Sequence, residues 1–358
     1  MKNPVVGGAF IRALRLAHEM ARRGWHPIIC NCGPPLVDPK IRAAEGSVQF
    51  LTLDSGRPGL TADKIISEFA ALKPDLVVMG EGAFPPMEIY YDAARRLGRP
   101  FIVLDQYYND WLLPKNAGVD LVLMYALASF WDGDLRLAPP YELTPPFIET
   151  VTEKSALPVP IELHHLHWVT LVAYDPYVLD RGLELLSRLD RRDIAVIVLS
   201  LNPSRCRREA EALGMEMRRL VSLPLQLDSN AFGFLNASAV GLVSNGFMQI
   251  MDCLALGCPV IALERGTGVG MSELNVDKRF FPYVSLGEPI DRQLERVFAW
   301  LDENPLSPRM RERLSLERHG VSFCATRIES IYHRETWKRS RPPRWRRMLR
   351  RAQQWISV

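Results

Sequence analysis

The sequence predicts an α/β protein built as two doubly wound domains that face each other across a cleft. Three observations carry the prediction. Short, nearly continuous apolar runs alternate with helix-like segments, as in parallel sheets covered on both faces. The alternation is broken by one proline-rich stretch, residues 132–160, and then restarts. At 358 residues the chain also exceeds the usual span of one hydrophobic core.

Phe10 to Arg23 places Leu14, Ala17 and Ala21 on one helical face, and Gly24 ends that helix. HPIICNC and SVQFLTL read as buried strands. A helix from Thr61 to Leu72 precedes the strand DLVVMG, and a helix from Met87 to Leu97 precedes the strands RPFIVLD and VDLVLMY. Beyond the proline-rich link, WVTLVAY, IAVIVLS and MEMRRLV read as strands, with helices at Leu179–Leu189 and Arg205–Leu213. A helix at Asn230–Ala237, the strand AVGLVSN, a helix at Phe247–Leu256, the strand PVIAL and a helix at Asp291–Leu301 complete the second series. The expected units are 1–150, 161–330 and a C-terminal tail, 331–358, the first two being Rossmann-like. In such sheets ligands collect beyond the carboxyl ends of the strands, so the crevice between the two is the expected site.

Composition narrows the classes. No apolar run reaches the roughly 18–20 residues of a membrane-spanning helix. The opening residues lack a signal peptide's order of basic segment, apolar core and small-residue cleavage site. Six cysteines are scattered, with Cys30 and Cys32 the closest pair, which suits reduced thiols in a cytoplasm. Residues 331–358 hold nine Lys/Arg and one Glu, while the remainder holds 35 basic and 40 acidic side chains. The net charge of +3 therefore belongs to the tail. Its segment 339–358, RSRPPRWRRMLRRAQQWISV, reads as a basic amphipathic helix. It suits either peripheral contact with an anionic surface, such as the inner membrane face with a lipid-linked acceptor, or a closing helix packed on the body. Nucleic acid is not expected, since the rest of the chain is net acidic and lacks a binding motif.

Three loops are candidate ligand contacts. Gly7-Gly8-Ala9 precedes the first helix, where glycines allow close approach and a helix N-terminus favours anions. The dinucleotide fingerprint G-x-G-x-x-G is absent. The segment ahead of Gly7 leaves room for only a very short first strand, unless the chain as given lacks opening residues. Ser244-Asn245-Gly246-Phe247 joins a strand to a helix, so its amides suit a diphosphate, and Asp252 further along that helix suits a ribose diol or plain solvent. Arg265-Gly266-Thr267-Gly268 continues to Gly270, a glycine density that suits a ligand-facing loop. In the first half, Glu81 and Asp105 end strands and are the candidate catalytic acid/base groups, although each taken alone better suits a helix cap or a surface charge.

Other groups are weaker. In a strand, His165 and His167 would share one face and His164 the other, so three-fold convergence on a metal is not expected. His18 suits a buried, surface or catalytic role. Asp132-Gly133-Asp134 falls in the link, and no metal or cofactor is expected. Neither a G-x-S-x-G elbow nor a Walker A lysine is present.

Taken together, GGAFIRALRLAHEMARRGWHPIIC and AVGLVSNGFMQIMDCLALGCPVIAL resemble glycosyltransferases of the GT-B type. The first is similar to that group's glycine loop, first helix and second strand. The second is similar to its donor-binding strand, Ser/Gly turn, acidic helix and small-G-x-P-V strand. The resemblance implies a nucleoside-diphosphate sugar in the C-terminal half, with Ser244–Phe247 at the diphosphate, Arg265 assisting, and Asp252 at the ribose. The family normally has Glu where Asp252 stands. Retaining members commonly have Glu eight residues earlier, where this chain has Ser244, so an inverting, metal-independent transfer to an acceptor hydroxyl is the implied reaction. The inverting group's loop histidine is absent from Gly8-Ala9-Phe10, which leaves Asp105 and Glu81 as candidate bases. A nucleotide-sugar epimerase or hydrolase of the same plan, and a non-catalytic nucleotide-sugar binder, are the alternatives.

Overall fold

The computed structural model describes residues 8–31, 48–52, 61–80, 88–105, 118–125, 127, 141–148, 151–225, 230–244, 247–263 and 289–340. Helix α1 (Gly8–Arg22) buries Leu16, Ala17 and Met20. Gly24, at φ +87°, closes it in the left-handed region that a side chain resists. Strands β1 (Ile28–Asn31) and β2 (Gln49–Thr52) pair in parallel. Helix α2 (Ala62–Ala71) starts where the Thr61 hydroxyl accepts the Lys64 N–H at 3.4 Å. Then come β3 (Val77–Met79), α3 (Glu88–Arg96), β4 (Phe101–Asp105) and β5 (Leu121–Tyr125).

The proline-rich stretch contains a strand that its composition conceals. Residues Tyr141–Thr144 form β6, parallel to β5, at the edge of a four-stranded sheet ordered β3-β4-β5-β6. Prolines 139, 140, 145 and 146 bracket this strand without entering it. Every N–H of the four residues therefore remains available for pairing, and the edge position tolerates prolines at both ends.

The second series is a five-stranded parallel sheet formed by β7 (His167–Ala173), β8 (Ile194–Ser200), β9 (Leu220–Pro224), β10 (Val240–Ser244) and β11 (Val260–Leu263). Their spatial order is β11-β10-β7-β8-β9. All seven residues of β8 are buried, as a sheet covered on both faces requires. Alternate β7 side chains divide between two cores: Trp168 and Val172 face one, and Val169, Leu171 and Ala173 face the other. The helices are α4 (Pro176–Leu186), α5 (Pro203–Ala212), α6 (Asn230–Asn236), α7 (Phe247–Ala255), α8 (Ile290–Asp302), α9 (Pro308–Leu316) and α10 (Gly320–Ser340). The doubly wound parallel architecture is as expected. Two local readings are corrected. MEMRRLV splits into a 3-10 turn at Met217–Arg219 and a strand that begins only at Leu220. His164 caps a 3-10 turn, Ile161–Leu163, and its Nε2 lies 3.1 Å from the Val159 carbonyl, so only His167 of the histidine cluster is in a strand.

The final helix returns to the first half. It packs on α1 and β6, and its Cys324, Ala325, Ile328 and Ile331 join a core shared with Leu16, Met20, Leu121 and Leu123. The anticipated border at 330/331 thus falls inside α10. The two passages of the chain between the halves lie side by side. Phe147 bridges His319 in antiparallel fashion, the Ile148 N–H donates to the Arg318 carbonyl at 3.0 Å, and the Gly320 N–H donates to the Pro146 carbonyl at 3.0 Å. Arg23 fastens α1 to α10 through Glu329 at 2.9 Å, Thr326 at 3.1 Å and the Ser322 hydroxyl at 3.0 Å. Because Arg23 is partly exposed, Arg23→Ala is expected to cost only about 1 kcal/mol, seen by calorimetry as a fall in Tm of about 2 °C.

Candidate functional site

The C-terminal sheet reverses its direction of growth between β7 and β10, the place where doubly wound sheets bind ligands beyond their strand ends. Three sequence-predicted residues converge there. β10 ends at Ser244, α7 begins at Phe247, and Asp252 lies in the second turn of α7. Gly257, at φ +72°, closes that helix turn and redirects the chain into β11. Tyr174, one residue past β7, borders the same place, and the side chain of Gln249 hydrogen-bonds to it.

Asp252 does not simply face solvent. It is half-buried, and Oδ1 accepts a hydrogen bond from the hydroxyl of Tyr125, the last residue of β5 in the other half. The carboxyl edges of the two sheets therefore meet at this contact. The Tyr125 hydroxyl in turn accepts the Phe147 N–H at 3.2 Å, and the ring lies under the Arg12 guanidinium at 5.4 Å. Arg12 is buried and donates to the Gly80 carbonyl at 3.1 Å, just past β3. Arg15 donates to the Phe147 carbonyl at 2.8 Å and stacks over the Phe232 ring of α6 at 4.8 Å.

The electrostatics follow from this packing. Burial pushes the Asp252 carboxyl up to about 6, while the Tyr125 hydrogen bond and the charges of Arg15 and Arg12 pull it back down. Burial and the neighbouring Asp252 charge raise the Tyr125 phenol well above its usual range and bring Tyr174 to about 12. Both phenols are therefore neutral hydrogen-bonding groups at ordinary pH. Two guanidinium groups, two phenols and one carboxyl make a site in which an anionic ligand would meet net positive charge.

Among the other predicted residues, β4 ends at Asp105, which pairs in register with Met124 and so lies beside Tyr125 on one sheet edge. Gly8 and Ala9 are the first two residues of α1. Gly7, Glu81, Asn245, Gly246, Arg265, Gly266, Thr267 and Gly268 lie outside the described residues, as do the segment Asp132–Asp134 and residues 341–358 of the tail. His18 is exposed on α1. Among the described residues no group of three potential metal ligands occurs, and no helix is long and apolar enough to cross a membrane. Sequence reasoning missed Tyr125, Tyr174, Arg12 and Arg15 as members of the site. The available signals were tyrosines closing two apolar strands and two arginines spaced i, i+3 on a helix with a buried face.

No protein-family model matches the chain, and no curated protein matches it. Solved structures do share its fold. A Listeria monocytogenes protein provisionally described as a UDP-N-acetylglucosamine 2-epimerase aligns with TM-score 0.64 at 14% identity, covering 93% of this chain and 94% of its own. The UDP-GlcNAc 2-epimerase of Neisseria meningitidis, bound to UDP-GlcNAc, aligns with TM-score 0.57 at 14% identity, covering 90% and 96%. A glycosyltransferase of Rickettsia africae aligns with TM-score 0.55 at 14% identity, covering 91% and 95%. The architecture is thus GT-B-like: two parallel α/β sheets of Rossmann type, with the strand ends of each turned towards the other.

Proposed function

We propose that the protein is a nucleotide-sugar-dependent glycosyltransferase acting in the cleft between its two sheets. The observation that carries this reading is Asp252. An acidic side chain in the second turn of the helix after β10, at the sheet's switch point, is where a ribose diol can be held. The amides at Ser244–Phe247 would receive the diphosphate, and Arg265 and the 266–268 glycine loop would close over it. An acceptor hydroxyl would attack the anomeric carbon as its bond to the diphosphate oxygen breaks. The hydroxyl proton would pass to Asp105 or Glu81, and the glycine loop at residues 7–9 would border the acceptor. The basic segment 339–358 would bring this cleft to an anionic membrane surface carrying a lipid-linked acceptor.

A second reading, a nucleotide-sugar epimerase, is favoured by the structural likeness to two proteins described as 2-epimerases. A thermal-shift series with UDP, TDP, GDP and their sugars tests the shared premise. Saturating the correct nucleotide at about 100 times its Kd should stabilise the fold by about 2.7 kcal/mol. No shift with any nucleotide would refute both readings. Incubation with the bound nucleotide sugar alone then separates them. Epimerised sugar without acceptor supports the second reading, and turnover only with acceptor supports the first.

A further inference from the structure

We propose that Tyr125 is a positioning residue that ties the Asp252 carboxylate to the crossing segments between the halves, so that ligand site and hinge respond to each other. The proposal rests on the reading of Asp252 as a ligand contact. It deepens that reading by identifying what holds the carboxylate. Tyr125 has one hydroxyl proton and gives it to Asp252 Oδ1, while its oxygen takes the Phe147 N–H at 3.2 Å. The ring is buried, so neither partner is readily replaced by bulk water. Phe147 is itself part of the crossing. It bridges His319 on the returning segment, and its carbonyl accepts from Arg15 of α1 at 2.8 Å. One continuous set of hydrogen bonds therefore joins α7, β5, α1 and the first crossing, and the Phe147–His319 bridge carries it to the second.

Among the described residues, the groups facing Asp252 are identifiable. Arg12 and Arg15 come from α1, Tyr125 from the end of β5, Tyr174 from past the end of β7, and Cys253 from its own helix. Of these, only Tyr125 is shown both hydrogen-bonding the carboxyl and touching a crossing segment. Turning Asp252 towards a ribose would thus alter the bond that Phe147 shares, and a shift at the crossing would alter how the carboxylate is presented.

The test uses the full chain and Tyr125→Phe, which removes one oxygen. Three quantities are read: the carboxyl titration of Asp252 by 13C NMR (assigned with Asp252→Asn), hydrogen exchange of the Phe147 and Gly320 amides, and the pH profile of UDP affinity. Losing a hydrogen bond to the charged carboxylate should move the carboxyl midpoint upward, speed Phe147 exchange about tenfold, and weaken UDP binding about tenfold at pH 7. The UDP-binding midpoint should rise with the carboxyl midpoint, a change that a merely structural loss would not produce. An unmoved carboxyl midpoint, or unchanged exchange at both amides, overturns the proposal. If the variant does not fold, the wild type decides: saturating UDP must alter exchange at Phe147 and Gly320, and no alteration overturns the coupling. UDP, TDP and GDP all bound by neither protein while the carboxyl midpoint shifts would overturn the nucleotide reading and leave the positioning of Asp252 standing.

Discussion

A Gly320→Ala chain should melt about 2–6 °C or more below the wild type, or fail to accumulate as soluble protein. Gly320 opens α10 where the two crossings pack together. An alanine Cβ there would fall far inside the van der Waals contact distance of the Pro145 carbonyl oxygen. It would also lie 2.7 Å from Phe147 Cδ1 and 2.8 Å from the Pro145 carbonyl carbon. Two of these three neighbours are backbone atoms, which cannot rotate away as a side chain can. Relief requires the two segments to separate, which breaks the Gly320–Pro146 hydrogen bond and loosens the Phe147–His319 bridge. Overpacking of this kind costs about 1–3 kcal/mol or more. Differential scanning calorimetry of the two chains checks it, and an unchanged Tm would show that the crossings can part freely.

The same region limits how the two halves can move. A core cluster runs without a break from Leu16 and Leu121 through Phe147 and Leu163 to Trp168 and Phe234. The halves are therefore joined by shared apolar packing as well as by a linker. The chain crosses between the halves at residues 145–148 and 318–320, where two short backbone segments are paired. Glu142–Arg327 and Arg318 donating to the Ala255 carbonyl at 2.7 Å flank this crossing, the latter at the end of the helix that carries Asp252.

The fold was legible because period and punctuation agree along most of the chain. Apolar runs such as IAVIVLS can satisfy their burial only inside a sheet covered on both faces. Apolar periodicity alone places two helix starts late, because it passes over their caps. Asp175-Pro176 and Asn202-Pro203 begin α4 and α5, each with a side-chain oxygen accepting an N–H at 3.0 Å and proline in the first turn. Ser307-Pro308 repeats the device at α9. Helix α10 is faint in the sequence although Val321, Cys324, Ala325, Ile328 and Ile331 keep helical spacing, because cysteine and alanine are weak hydrophobic markers. Asp252 stood out as a site candidate because strand, turn and acidic helix follow one another in sequence. Tyr125 did not, since its partner is 127 residues away and only the meeting of two sheet edges brings them together.

Asp252 is where substitution should be felt most broadly. In the unfolded chain its carboxyl titrates near the ordinary value of about 3.9, and in the folded protein at about 6. Below pH 4 both forms hold the proton. Between pH 4 and 6 the unfolded chain releases it first, so this group's contribution falls as pH rises and is level above about pH 6. The difference is at most about 3 kcal/mol. Asp252→Asn keeps an oxygen for the Tyr125 hydroxyl but cannot titrate. Urea unfolding at several pH values should therefore show stability falling less, or rising more, between pH 4 and 6 in the variant than in wild type. Asp252→Leu removes the oxygen as well. It leaves the Tyr125 hydroxyl without its acceptor and Arg12 and Arg15 without the neighbouring negative charge, a loss of about 2–4 kcal/mol at pH 7. On the proposed function, the leucine variant should bind nucleoside diphosphate at least about 100-fold more weakly, with the asparagine variant intermediate. Equal nucleotide affinity in all three chains, with the stability changes intact, would assign Asp252 to joining the two halves and remove it from the ligand site.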